Sequence, residues 1–260
     1  MFNKLMQECI KNIYENDLSV QERYMEMICK DVRQMNYQIC LTAKAFFVPN
    51  NEYLMQYTYP EILDEKYDIY NYEGFCIWHE CLTFPIFDAG NSIVGLVGFN
   101  PVNYLKARET KDWSLNYYIY SKKSVMQRGR YIYCLPGIYE KSLNDGYLII
   151  TDGMFDAIHL TAEGFNAAAL MGSTITDEIV AQLRFIKKII VISDNDEAGL
   201  KFIRQLKQSL HNVTCLFQGE TKDIDELLKT ERKKETIEVI RQMIDSSFLM
   251  DRYLEINVKS

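Results

Sequence analysis

The chain has 260 residues, a length that suits one large domain or two small ones. With 48% hydrophobic and 25% charged residues it has ample material for a packed core, which excludes a disordered or low-complexity chain. A net charge of −7 argues against a protein that coats nucleic acid by bulk electrostatics.

No apolar run approaches the ~20 residues that a membrane helix needs, and residues 1–8 carry no signal-peptide pattern. A soluble, cytoplasmic protein without a membrane partner is expected. The seven cysteines are scattered, with no C-x₂-C pair, as fits a reducing compartment. Cys76, His79 and Cys81 lie close together in sequence, but a structural zinc site wants a second pair of ligands, and the sequence offers none.

In chain order, the first ~45 residues read as helical. Ser19-Val20-Gln21-Glu22 has the form of a capping box and predicts a helix start. Tyr24, Met27, Ile28, Val32 and Met35 then mark an amphipathic face. Pro49-Asn50-Asn51 is a break, and residues 52–80, rich in tyrosine and acid, carry no firm pattern. Two short apolar runs, 82–87 and 92–99, joined through Asp88-Ala89-Gly90-Asn91, predict a β-hairpin. Residues 104–130 hold seven basic residues against two acidic ones, interleaved with Tyr104, Trp113, Tyr117, Tyr118 and Tyr120. That mixture suits single-stranded nucleic acid, whose bases stack and whose phosphates pair with cations.

From residue 147 strands and helices alternate. Strands are predicted at 147–151, 166–170, 188–193 and 213–217, with helices at 154–163, 176–186, 197–210 and 233 to about 248. The strand runs are solidly apolar, as in a parallel sheet covered on both faces. In such sheets ligands bind beyond the carboxyl ends of the strands.

Acidic residues cluster where these strands end. They are Asp152 and Asp156, Asp194 and Asp196, and Asp223 and Asp225. Carboxylates that converge repel one another unless a cation sits among them. Mg²⁺ is the usual cation for an all-oxygen site beside phosphates, so the clusters point to phosphoryl transfer on nucleotides or nucleic acid. A single aspartate also has blander uses: Asp156 suits a helix dipole, and Asp223 suits a helix cap. His159 and His211 read as helix-face residues without a chemical role.

The pattern strand–acid–Gly-x-x-Asp, then strand–Asp-x-Asp-x-x-Gly, resembles the Toprim domain. Its positions here are Asp152, Gly153 and Asp156, then Asp194, Asp196 and Gly199. Upstream, residues 84–98 (FPIFDAGNSIVGLVG) look like the hairpin of the DnaG-type primase catalytic core. Residues 103–110 (NYLKARET) are similar to the family's "KYLNSPET", and Ile132 to Gly137 falls where the family has "LYGL". Residues 221–228 (TKDIDELL) match its "GKDPDEFL". The resemblance covers about residues 80–230, and its pieces occur in the family's order.

The resemblance implies an α/β chain: a Toprim-type parallel-sheet βαβ domain preceded by a smaller α+β subdomain with an N-terminal helical segment. The implied divisions are 1–80, helical or α+β; 81–145, the primase-core subdomain with its hairpin and basic, aromatic segment; 146–230, Toprim; and 231–260, a helical tail. It further implies RNA primer synthesis on a single-stranded DNA template from nucleoside triphosphates, with Mg²⁺ or Mn²⁺. Asp194, Asp196, Asp223 and Asp225 are then the expected metal ligands. Asp156 is a ligand or an orienter, and Asp152 is a base or a ligand. Lys106 and Arg108 are expected on template phosphate or triphosphate, and Lys122 and Lys123 on nucleic acid, with Gly153 and Gly199 as structural motif positions.

Three departures stand out. Asp152 occupies the family's glutamate position, which retracts the carboxylate by about 1.5 Å, one carbon–carbon bond. Asn100 stands where an arginine often ends the hairpin. The family's zinc module has no counterpart, so a zinc-module partner in trans, or a replicative helicase, is an implied partner. A Toprim-type nuclease and a non-catalytic, nucleic-acid-binding primase-like subunit are the alternatives.

Overall fold

The computed structural model describes residues 2–58, 67–71, 73–172, 174–193, 197–218, 224–246 and 252–254. They form two compact units, 1–127 and 128–260. The division lies upstream of the expected 145/146 boundary because the strand at 132–134 is hydrogen-bonded into the second unit's sheet.

The first unit begins with α1 (Phe2–Asn16) and α2 (Leu18–Ile28), followed by a π-helical turn at Cys29–Arg33 and α3 (Gln38–Thr42). Helix α2 starts at Leu18, with Asp17 at its N-cap, so Ser19 lies inside the helix rather than capping it. Asp17 serves tertiary structure instead: its Oδ2 accepts the Tyr53 hydroxyl at 2.6 Å. The buried face also differs from the expected one, for Met27 is 52% exposed. The face runs through Gln21, Met25, Ile28 and Cys29, and its first member is polar. Gln21 is fully buried because both ends of its amide are used, Nε2 on the Phe47 carbonyl (3.0 Å) and Oε1 on the Phe47 N–H. A buried glutamine is tolerable only when paired in this way.

Strand β1 (Phe46–Val48) was not legible in the sequence. It opens an antiparallel sheet of order β1-β2-β3-β4, with β2 (Cys81–Phe87) and β3 (Ile93–Phe99) forming the expected hairpin. Asp88 sets its turn, Oδ1 accepting from the N–H groups of Gly90 and Ser92, both at 2.9 Å. Helix α4 (Pro101–Thr110) and β4 (Tyr118–Tyr120) follow. A core of α1 side chains (Met6, Ile10, Ile13) with Phe46, Trp78 and Leu96 closes this unit. Trp78 lies so near β3 that a Cβ on Gly98 would meet its ring at 2.7 Å.

The second unit contains β5 (Ile132–Cys134), α5 (Ile138–Asp145), β6 (Tyr147–Thr151), α6 (Met154–Ala162), β7 (Ala167–Leu170), α7 (Asp177–Leu183) and β8 (Lys188–Ser193). Helix α8 (Glu197–Ser209), β9 (Val213–Gln218), α9 (Ile224–Leu227), α10 (Lys233–Asp245) and β10 (Arg252–Leu254) complete it. The six strands lie in the order β10-β9-β8-β6-β7-β5. All neighbouring pairs are parallel except β5 with β7, which is antiparallel. Ile149, Ile150, Ile190 and Val191 are fully buried, which is why β6 and β8 read as unbroken apolar runs. No described helix is long and apolar enough to cross a membrane.

Candidate metal and nucleotide site

Strands β6 and β8 are parallel neighbours, with Thr151 paired to Ile192, so their carboxyl ends lie side by side. The residue after β6 is Asp152, and its side chain is exposed. Its Oδ2 accepts the hydroxyl of Ser193, the last residue of β8, at 3.1 Å. Asp194 follows Ser193 in the chain, and Asp194, Asp196 and Asp223 lie outside the described residues. Among the described residues, no group of three or more His, Cys, Asp or Glu side chains could hold a metal ion.

Asp156 sits in the first turn of α6, whose N-cap is Gly153. Its carboxylate folds back over that N-terminus, where a carboxylate is favoured by the exposed N–H groups and the helix dipole. A Cβ on Gly153 would stand 2.2 Å from Asp156 Oδ2. That distance explains the glycine of the motif: any side chain there would displace the carboxylate. Thr151 Oγ1 donates to the Gly153 carbonyl at 2.9 Å and fixes the same turn.

Asp225, the second residue of α9, is 3% exposed. Its backbone N–H donates to Asp156 Oδ1 at 3.3 Å. Its carboxylate receives His159 Nδ1 on Oδ1 and Lys229 Nζ on Oδ2. The structure thus joins Asp156 to Asp225 and Asp152 to Ser193. His159 and Lys229 belong to this constellation and were not expected. Their signal in the sequence was spacing, His159 three residues after Asp156 and Lys229 four after Asp225 on helical segments. Gly199 lies in α8 and is buried.

The basic residues belong to the other unit. Lys106 and Arg108 are exposed on α4, and the Arg108 guanidinium lies 5.8 Å from the Tyr104 ring centroid. Tyr104 and Tyr117 meet edge-on, with centroids 5.5 Å apart. Lys122 donates to Asp68 Oδ1 at 2.8 Å, and that bond, with one from Ser124, holds the Asp68 carboxyl below its ordinary range. Lys123 is exposed. Asn100 is the N-cap of α4, its Oδ1 accepting from the Asn103 N–H at 2.9 Å.

Residues 149–228 match the family model described as Toprim-like. The chain is similar in structure to the RNA polymerase domain of Mycobacterium tuberculosis primase DnaG, solved with a double-stranded DNA oligomer bearing a 6-nucleotide overhang. The TM-score is 0.71 at 14% identity, over 93% of this chain and 80% of that one. The chain has the fold of a DnaG-type primase catalytic core. The zinc-binding and RNA polymerase domains of the Aquifex aeolicus primase align with a TM-score of 0.69 at 20% identity, over 92% of this chain and 59% of theirs. In sequence, the DNA primase of Aquifex aeolicus is 27% identical over 172 residues, or 64% of this chain. The matched stretch spans about a third (32%) of that primase. Asp152 directly follows β6 and Ser193 ends β8, so both stand at the carboxyl ends of sheet strands, where open α/β sheets bind ligands, and Asp156 lies in the first turn of the helix that follows β6.

Proposed function

We propose that the chain synthesises RNA primers on single-stranded DNA, by nucleotidyl transfer to a 3′-hydroxyl. The observation that carries this reading is Asp152 hydrogen-bonded to Ser193 across adjacent parallel strands. That bond sets the acid of one strand end against the residue preceding Asp194.

The donor set fits a divalent cation: it is all carboxylate oxygen, with Asp152 open to solvent. Asp152, Asp194, Asp196 and Asp223 would hold Mg²⁺ or Mn²⁺, with Asp156 as ligand or orienter. When bound, a pair of such ions supplies charge stabilisation for the attacking and leaving oxygens. The protein's own residues do the positioning. Gly153 leaves room for Asp156, and Ser193 orients Asp152, which as an aspartate reaches less far than a glutamate. Lys106 and Arg108 would neutralise template phosphate or the triphosphate of the incoming nucleotide. Lys123, and Lys122 when released from Asp68, would contact nucleic acid. The tyrosines beside them offer faces on which bases stack. The reaction joins the 3′-oxygen to the α-phosphorus, breaks the bond between the α-phosphorus and the bridging oxygen, and releases pyrophosphate; the hydroxyl proton would pass to Asp152 as base or to solvent. A zinc module for template selection and a replicative helicase would be further partners.

The test uses Mg²⁺ or Mn²⁺, labelled nucleoside triphosphates and single-stranded DNA, with the natural chain and with Asp194→Ala. Short RNA that disappears in the variant is the expected result. Shortened DNA would instead identify a nuclease, and neither product with DNA binding retained would identify a non-catalytic subunit.

A further inference from the structure

Asp225 occupies a position that the sequence assigns to the metal ligands, yet its surroundings are those of a clamp. Helix α6 presents Asp156 and His159 one turn apart, on the same face. Asp225 engages both. Its side chain takes the His159 ring N–H, and its backbone N–H binds Asp156 Oδ1. A third group, the Lys229 ammonium, occupies the other carboxylate oxygen.

Burial separates Asp225 from Asp152. The Asp225 side chain is 4% exposed and that of His159 9%, whereas Asp152 is open to solvent. A carboxylate buried to that extent is stable only when its oxygens meet donors, and two donors meet these. A divalent ion arriving at Asp225 would face the Lys229 ammonium at close range, a like-charge contact that weakens binding.

We infer that Asp225 is a positioning residue and not a ligand of the divalent ion: His159 and Lys229 hold it so that its backbone amide fixes the carboxylate of Asp156. The inference rests on reading the acidic clusters as a divalent-cation centre. It adds His159 and Lys229 to the residues on which that centre depends.

The experiment measures Mn²⁺ affinity of the full chain by electron paramagnetic resonance, without nucleotide or DNA. Circular dichroism and thermal unfolding check that each variant is folded. Residues that orient metal ligands typically change metal affinity by about 10–100-fold when removed. His159→Leu and Asp225→Asn are each expected to weaken Mn²⁺ binding by about tenfold, and the double variant by no more than the worse single one, since both break one linkage. His159→Asn is expected to restore affinity, because its amide N–H lies where Nδ1 stood. His159→Gln, whose amide lies nearer the place of Nε2, is expected not to.

The inference is overturned if Asp225→Asn weakens binding far more than His159→Leu, the two effects add, and Lys229→Met tightens binding. That pattern belongs to a direct ligand. Equal behaviour of His159→Asn and His159→Gln overturns it as well, and decides the matter even if His159→Leu does not fold. Failure of the natural chain to bind Mn²⁺ would instead remove the metal-centre reading itself.

Discussion

The tightest constraint at the site is a missing side chain. Because a Cβ on Gly153 would lie 2.2 Å from Asp156 Oδ2 and 3.1 Å from its Cγ, Gly153→Ala must push the Asp156 carboxylate off the N-terminus of α6. The atoms displaced are the far end of the Asp156 side chain, so the cost to folding is small, about 1 kcal/mol. The cost to function is expected to be large: primer synthesis should fall by at least about tenfold, with a thermal midpoint shifted by only a few degrees. A variant with full activity would mean that Asp156 does not act from this position. Asn100 illustrates the opposite case, a departure from the family with a local explanation. It caps α4 and is 9% exposed, so the chain uses this position to start a helix.

Among the elements, α10 is tied to the sheet through the side chain of Lys188 as well as through its own buried apolar face. Lys188, the first residue of β8, donates from Nζ to the carbonyl oxygens of Met243 (2.9 Å), Ile244 (3.0 Å) and Ser246. These are acceptors at the C-terminal end of the helix, which carries partial negative charge and leaves its last carbonyls without partners inside the helix. Partial burial holds the Lys188 ammonium below its ordinary pKa, with the Asp245 charge opposing the shift. Lys188→Met keeps the aliphatic stem and removes the donors. It should lower the stability of this unit by about 1.5–3 kcal/mol in urea unfolding, the range for hydrogen bonds to charged groups. An unchanged midpoint would mean that α10 is held by its apolar face, through Ile240 and Met243, alone. The same contrast governs what could be read beforehand. Helices with a simple apolar stripe and strands with unbroken apolar runs were legible. Helix α2 was misread at its start and on its buried face because its core residue at Gln21 is polar and its cap residue serves Tyr53.

For the molecule as a whole, each unit has its own core. Met6, Phe46, Trp78 and Leu96 belong to one, and Leu148, Ile150, Val191 and Leu206 to the other. A fragment of residues 128–260 is therefore expected to fold alone and unfold in one cooperative transition. It retains Asp152, Asp156 and Ser193 but lacks Lys106, Arg108, Lys122 and Lys123. It should bind Mn²⁺ and bind single-stranded DNA more weakly than the full chain. An unfolded fragment would show that the second core depends on residues 1–127.

By itself the sequence determined the alternating parallel-sheet architecture and the places where acids follow strands. A strand buried on both faces must be apolar along its length, so the first polar residue beyond it marks its end. Only the tertiary structure decided what each acid does. Asp225 meets His159 across 66 positions of chain and Asp156 across 69. No local pattern reports such distant partners, because they depend on how α9 packs against α6. Two aspartates that look alike in sequence, Asp152 and Asp225, thereby differ, one open to solvent at a strand end and the other buried between a histidine and a lysine.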